Sequence, residues 1–415
     1  MTQSDDPLDA LRRQYEALPY PDRDPAEEAR RLVTGSPSHW PEVVHHLFAG
    51  RPPGGTLRIL VAGCGTGDAL TMLAQQTADA GLDVEITALD LSEASIAIAR
   101  ARIEARGLEA RVRFMRRSLL EAPEIAAAEG GFDYIDCCGV LHHLSEPSAG
   151  FRALAEALKP RGGLGLMVYG EFGRTGVYEM QEALRALIPG DAAPVDRAAA
   201  ARAVLDHLPE TNRLRCNPLI KDHLDSDAGL FDLLLHSSDR AYRADTLMAE
   251  MEGAGLRHVC WIDPLRYDPA LYLPEGQARD RAAALPPAGR AALAEALAGN
   301  MRKHIAYAVR ADRPDDPRAR MTPEAVPVFR DAATMRTFHA MPEGAPSLPI
   351  TIDGLSLHLP LPGEAAPLLR AIDGKRGLEK IRKQLPDRPD KATFKRRFEA
   401  VFQPLNGFSK LFLRR

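Results

Sequence analysis

The chain has 415 residues, 45% of them hydrophobic and 27% charged, with a formal net charge of −4. That length admits two or three domains, and the balance is that of an ordinary soluble globular protein. Five scattered cysteines without a C-x-x-C pair argue against a disulfide framework or a zinc site and for a reducing, cytoplasmic setting, while no apolar run reaches the roughly 18 residues of a membrane span.

The acidic, polar start Met1-Thr-Gln-Ser-Asp-Asp lacks the pattern of a signal peptide. Residues 8–18 pattern as a short amphipathic helix that stops at Pro19. Tyr20-Pro21 is then extended, because a residue before proline is pushed out of the helical region. A second helix is expected over residues 37–48, so residues 1–50 read as an N-terminal helical cap. Residues 57–62 form a buried strand after a Pro-Pro-Gly-Gly turn, and Gly63-Cys64-Gly65-Thr66-Gly67 follows at once. Residues 68–80 then read as a helix. Strand, glycine loop and helix together let main-chain N–H groups hold a cofactor at the helix start. Glycines are needed there because a Cβ would block both the turn and the approach.

The spacing narrows the cofactor. A G-x-G-x-x-G fingerprint would place its third glycine at position 68, where the chain has Asp68. A carboxylate there repels a pyrophosphate and suits a cofactor with a cationic amino-acid end. The next strand, residues 84–89, ends at Asp90, whose carboxylate can take both hydroxyls of a ribose.

Ser92 is a good N-cap for the following helix, with Ile96, Ala99 and Ile103 on one face and Gly107 closing it. Residues 111–115 read as the third strand and 132–138 as the fourth. Between the fourth strand and the next helix, Gly139-Val140-Leu141-His142-His143-Leu144 crosses the mouth of the site. Two adjacent histidines cannot both face one way on a regular element, so one of His142 and His143 is structural. Phe151, Leu154 and Leu158 mark the next helix, Lys159-Pro160-Arg161-Gly162-Gly163 ends it, and residues 164–169 are the fifth strand. From Gly170 the βα rhythm breaks into Ala- and Leu-rich helices interrupted at Pro189, Pro194, Pro209 and Pro218. Residues 246–254 and 279–300 read as helices, and 258–262 and 304–310 as the last two strands.

The segments "LVAGCGTG", "ALDLS", "FDYIDCCGVLHHLSEP" and "LKPRGGLGLMVYGE" resemble, in this order, the class I S-adenosylmethionine-dependent methyltransferases. A closer likeness is to bacterial members with a YE-x-x-PYP segment ahead of the core and a "LAGN-x-RKH-x-x-YAVRA" last strand. The resemblance implies an α/β fold over residues 51–312: a Rossmann-like seven-stranded sheet, its last strand antiparallel, with a helical lid inserted at about 170–245. It implies S-adenosyl-L-methionine as cofactor, held by Gly63, Cys64, Gly65, Gly67, Asp90, Leu91, Ser118, Leu119 and Gly139. Tyr15 and Tyr20 would face it from the N-terminal strap. The family usually offers an Asp to the adenine amino group after the third strand; here Ser118 stands, a weaker acceptor. The Asn/Asp-Pro-Pro-aromatic segment typical of enzymes that methylate base amino groups or glutamine amides is missing after the fourth strand. Within the lid, "LFDLLLHSSDRAY" resembles the subfamily's lid segment. The candidate proton acceptors are therefore His142, His143 and His236, and no metal ligand set is read.

Residues 313–326 are Pro-rich and charged, a linker composition. Beyond them, residues 347–352 and 355–359 alternate around Asp353-Gly354, a good hairpin turn. Helices are expected at 363–372, 376–385 and 391–404, with a strand at 409–413. Residues 327–415 thus read as a small winged-helix-like α+β domain, and "LLRAIDGKRGLEKI" is similar to winged helices that grip leader peptides. From Arg370 to Arg415 there are 14 Lys/Arg and 5 Asp/Glu. That basic balance suits an acidic partner, nucleic acid or peptide. The expected activity is methyl transfer to a protein or peptide acceptor recruited by this tail. Open alternatives are a small-molecule methyltransferase and a SAM-sensing, nucleic-acid-binding regulator without catalysis; a homo-oligomer is compatible with all three.

Overall fold

The computed structural model describes residues 7–415, with side chains from residue 11 onward; the start read above for targeting signals lies outside the described residues. Seven strands share one sheet: β1 (Leu57–Ala62), β2 (Val84–Asp90), β3 (Val112–Arg116), β4 (Phe132–Cys138), β5 (Leu158–Tyr169), β6 (Leu256–Ile262) and β7 (Lys303–Arg310). Their order is β3-β2-β1-β4-β5-β7-β6, with β7 antiparallel to both its neighbours and β1 to β5 parallel. This is the Rossmann-like seven-stranded arrangement expected from the sequence. Both faces are covered by apolar clusters, which is why the central strands read as continuous apolar runs rather than alternating ones. The chain winds outward from β1 to β3 and restarts on the other side of β1 with β4. A crevice opens at such a reversal, beyond the carboxyl ends of the strands.

Local chemistry sets most boundaries. Ser92 caps the helix Glu93–Glu104 by accepting from the Ser95 N–H, and the Glu16 carboxylate accepts from Glu93 N (2.8 Å) and Ala94 N (3.0 Å) at the same helix start. The N-terminal helix Pro7–Ala17 is tied to the sheet at that point. Two expectations shift. Lys159 to Gly163 is not a loop: β5 starts at Leu158, paired with Phe132, and an irregularity before the Tyr134–Gly163 pair absorbs the turn-forming residues. The single helix expected over 279–300 is two, Gln277–Ala283 and Pro287–Ala298, broken by Pro286-Pro287.

The lid after β5 contains the helices Val177–Leu187 and Pro194–Leu205, then Asp222–Asp225 and Asp227–Leu230, which runs into a wide turn at Phe231–Leu235. Val177, Leu184, Leu214, Leu230 and Leu233 give it a core of its own.

Residues 313–326 are bound along their length instead of forming a free spacer. Arg313 is buried and donates to Leu47 O (3.1 Å) and Arg161 O (2.9 Å), and Ala319 N donates to His45 O (2.7 Å). The following unit holds β8 (Val326–Phe329), the hairpin β9 (Ser347–Ile352) and β10 (Leu355–Pro360), and β11 (Leu411–Arg414), which pairs with β8. The helices Ala332–His339, Ala365–Arg370, Leu378–Gln384 and Lys391–Gly407 pack Phe338, Leu369, Ile381, Phe398 and Leu405 into one core, joined by Leu265 and Leu271 from the first unit. Much of the basic charge of this unit is locally paired: Arg370 with Glu343, Arg376 with Asp373, Arg382 with Glu379 and Arg397 with Asp387.

Candidate functional site

A cavity of ≈ 370 Å³ lies at the carboxyl ends of β1, β2, β4 and β5, within the roughly 300–1,000 Å³ of small-molecule sites. Its floor is the glycine loop. Gly63, Gly65 and Gly67 all have positive φ, and a Cβ on Gly63 would lie 2.4 Å from Val140 Cγ2. Only glycine fits between β1 and the loop after β4. Gly67 is the N-cap of the helix Asp68–Asp79 and, unlike Gly63, Cys64 and Gly65, does not line the cavity.

Asp90 closes one side. Its carboxylate accepts from Gly65 N (2.7 Å) and Ser92 N (2.9 Å), so it braces the loop and keeps further lone pairs for a ligand. Burial pushes its pKa up, and those amide donors hold it back. Leu91, Ser118, Leu119 and Gly139 line the same space. The Ser118 hydroxyl accepts from Leu120 N (3.2 Å) while Glu121 returns to Ser118 N (2.9 Å), a capping box that occupies the oxygen expected to face a base.

The N-terminal strap forms the roof. Pro21 O accepts from Thr66 Oγ1 (2.7 Å), and a Cβ on Gly65 would sit 3.1 Å from Tyr20 O. Asp68, which lines the cavity, is neutralised by a two-pronged Arg23 contact (2.9 and 2.8 Å) and by Arg102 (2.8 Å). Those cations hold its pKa down against the effect of burial.

Opposite the glycine loop, the lid and the loop after β4 assemble a polar cluster. Tyr15 Oη donates to Asp232 Oδ1 (3.0 Å) and Tyr169 Oη to Oδ2 (3.1 Å). The Ser238 N–H donates to His236 Nδ1 (3.0 Å), so the neutral ring carries its proton on Nε2, 3.3 Å from Tyr15 Oη. Burial holds His236 well below the usual histidine pKa, so it stays neutral. His143 stacks on His236 with ring centroids 3.7 Å apart, and its Nδ1 lies 2.9 Å from Ser238 O. A carbonyl can only accept, so His143 carries a proton on Nδ1, and in the neutral ring Nε2 is the accepting nitrogen. Behind it, Asp239 Oδ1 lies 3.9 Å from Nδ1, while Asp239 Oδ2 takes Arg174 (2.9 Å) and Gln181 (2.9 Å).

The three histidines therefore separate. His143 lines the cavity. His142 is fully buried, packs on Tyr169 and has neither ring nitrogen hydrogen-bonded among the described residues. His236 has both nitrogens engaged. The polar atoms of His143, Asp232 and His236 come within 4.8 Å of one another, the spacing of a metal-ligand set that local spacing in the sequence could not show. Tyr169, Arg174, Asp232 and Asp239 were missing from the sequence reading. Their meeting depends on how the lid folds back, and only the apolar-then-polar run at 230–240 hinted at it.

Residues 60–164 match the family model described as a methyltransferase domain. The chain carries a methyltransferase domain. An uncharacterized protein of Synechococcus sp. is 35% identical over 259 residues, 61% of this chain and 60% of its own length. Ubiquinone biosynthesis O-methyltransferase of Bordetella avium is 37% identical over 106 residues, 25% of this chain and 39% of its own. The chain thus spans less than two thirds of these curated relatives. Among solved structures, PKMT2 from Rickettsia typhi in complex with AdoHcy superposes with a TM-score of 0.60 at 16% identity, covering 91% of this chain and 75% of that one. The shared fold therefore reaches past the methyltransferase domain into the C-terminal unit. The site fits the S-adenosylmethionine expected from the sequence: a glycine floor that a Cβ would fill, Asp90 at the end of β2, and a cavity of suitable size.

Proposed function

We propose that the protein transfers the methyl group of S-adenosylmethionine to an amine of a protein or peptide acceptor. Gly63, Gly65 and Asp90 would hold the cofactor, which supplies an electrophilic methyl on a sulfonium. Tyr15 and Tyr20 would exclude water above it. His143 Nε2 would take the proton that an ammonium must lose before its nitrogen can attack, with Ser238 O and Asp239 steadying the imidazolium that forms.

The observation that carries the amine reading is the charge left over in the cavity wall. Asp68 is matched by Arg23 and Arg102, Arg117 by Glu121, Arg174 by Asp239, and Arg302 by Asp353, while Lys303 lines the wall without a carboxylate partner among the described residues and Asp90 is kept for the cofactor. Asp222 and Asp232 also line the cavity, and neither has a Lys or Arg partner among the described residues. Two carboxylates against the single Lys303 cation, beside three phenols and the His143 ring, favour a cationic acceptor over a phenol or carboxylate. The ubiquinone-pathway relatives align over 25% or so of this chain and speak for the domain, not for the acceptor.

The test is to incubate the protein with a native extract and labelled methyl donor, then hydrolyse the product. Label that stays with protein through strong acid and base, as an N-methyl group does, is the expected result. Label released by base as methanol, or extracted with small molecules, would replace the amine by a carboxylate or a small-molecule acceptor. No transfer, with S-adenosylmethionine still bound, would favour a sensor.

A further inference from the structure

Arg302 belongs to two places at once. Its residue lines the cavity, and its guanidinium leaves the sheet edge to reach the C-terminal unit. Nη2 donates to Asp353 Oδ1 (3.0 Å) and Nη1 to the Leu219 carbonyl of the lid (2.9 Å). Leu219 directly precedes Ile220, and both Ile220 and Asp222 line the cavity wall. Asp353 is gripped from a second side by Arg266 (2.8 Å), while Asn300 Nδ2 holds the Asp353 carbonyl (2.8 Å) and Arg266 holds Asn300 (3.2 Å).

Asp353 and Gly354 are the two central residues of the β9–β10 turn, both with positive φ, as a two-residue hairpin turn of matching twist requires. The turn also touches the lid directly: a Cβ on Gly354 would stand 3.6 Å from Leu219 Cδ2. The Arg302 main chain is held as tightly, since its carbonyl accepts from Gly170 N (2.8 Å) at the end of β5. A hairpin of the C-terminal unit, an arginine of the cavity and the lid segment that carries Asp222 thus meet in one hydrogen-bonded junction.

We infer that the Asp353 turn is a positioning element of the methyl-transfer site, acting through Arg302 to hold the lid segment Leu219 to Asp222 against the cavity. The inference rests on the proposal that this cavity is where the acceptor binds. It gives the C-terminal unit a part in shaping the site, beyond bringing a substrate near it. Releasing Arg302 from Asp353 unties one end of the guanidinium that holds the Leu219 carbonyl, so the wall that carries Ile220 and Asp222 loosens although no residue of the C-terminal unit enters the cavity. The glycine loop and Asp90 stand apart from this junction.

Hydrogen exchange of the full-length protein reads the junction without needing the acceptor. In Asp353→Asn, amides of residues 214–230 are expected to exchange about tenfold faster, as local opening becomes easier, while amides of β11 and of the helix Lys391–Gly407 keep wild-type rates. Arg302→Gln should give the same pattern, and the double variant should add little to either, because both break one path. Asp353→Glu, which keeps the charge, should restore part of the protection. Unchanged lid exchange in Asp353→Asn would overturn the inference. So would equal acceleration through the whole C-terminal unit, which would mean that Asp353 only stabilises its own hairpin. Calorimetry with S-adenosylhomocysteine on the same samples separates the two proposals. If the wild type does not bind it, the functional reading falls, while the lid measurement still decides the junction.

Discussion

His143 Nδ1 stands 2.9 Å from the carbonyl oxygen of Ser238, and this one contact decides which nitrogen of the ring is free. The carbonyl fixes a proton on Nδ1, so in the neutral ring Nε2 is the accepting nitrogen, on a residue that lines the cavity. If Nε2 takes the acceptor's proton, His143→Ala should lose about 10²–10⁴-fold in kcat with little change in affinity for S-adenosylhomocysteine. His236→Gln should cost far less, because His236 Nδ1 is occupied by Ser238 N and its other nitrogen faces Tyr15. Steady-state kinetics beside calorimetry checks this. Normal turnover by His143→Ala would mean that the acceptor arrives deprotonated and that the site only aligns it.

Cofactor binding should respond to two changes by different routes. In Gly63→Ala, the new methyl must displace Val140, and the backbone at φ +82° resists any side chain. Binding should fall even if the fold survives. Asp90→Ala removes ligand contacts and also the acceptor for Gly65 N and Ser92 N, so a loss of about 1.5–3 kcal/mol is expected, as for hydrogen bonds to a charged group. Isothermal titration with S-adenosylhomocysteine reads both. Wild-type affinity in the two variants would remove the cofactor from this cavity.

What was legible in the sequence divides along the range of the interaction. The glycine loop, the Asp90 position, the Ser92 cap and the Asp353-Gly354 turn are dictated by residues next to one another, and each is where the spacing predicts it. Ser118 lines the cavity as expected, yet its hydroxyl serves the following turn, a competition that only geometry reveals. The pairing of Arg174 with Asp239, 65 positions apart, and of Asp239 with His143, depends on lid packing and has no local signature. The same holds for β8: Val326 and Pro327 sit at the end of a Pro-rich, charged stretch that reads as linker, and β11 supplies the partner that makes them a strand. Composition alone also hides that Arg313 is buried in that stretch.

The Asp353 junction should be sensitive to acid. The neighbouring Arg266 and Arg302 hold its carboxyl below the ordinary value of 3.8 against the effect of burial. A carboxylate with a depressed pKa contributes stability that is complete above its unfolded pKa and is lost as pH falls through the lower, folded one. Between pH 5 and about pH 4 the junction should hold, and below that it should open. Lid exchange over residues 214–230, corrected for the intrinsic pH dependence, should rise in that acid window in the wild type. In Asp353→Asn it should already be high at pH 5 and show no further step there. A step of equal size in the variant would assign the acid response to other carboxylates.

Removing the C-terminal unit by truncation after Arg310 should damage the methyltransferase domain itself. Were residues 327–415 a tethered recruiter, the remaining core would fold, bind the cofactor and lose only apparent substrate affinity. The contacts argue otherwise. Phe412 is fully buried against His39, His45 and His46 of the first unit, and His45 Nδ1 accepts from Leu413 N (3.0 Å). Leu265 packs so closely under Gly407 that a Cβ there would lie 2.4 Å from it. Arg330 crosses to the buried Glu42 (3.0 Å), and the linker residue Arg313 is bound to Leu47 O and Arg161 O. Truncation would leave Glu42 without its cation and expose the apolar face of the helix Trp40–Leu47. Burial already pushes Glu42 up to about 7 beside Arg330, so without that cation it stays protonated, and the apolar face uncovered on the helix Trp40–Leu47 is the larger loss. The truncated core is therefore expected to melt well below the full chain and to aggregate, read by calorimetric melting and size-exclusion chromatography. A monodisperse core with full-chain melting temperature and undiminished S-adenosylhomocysteine affinity would return the C-terminal unit to the role of a dispensable recruiter.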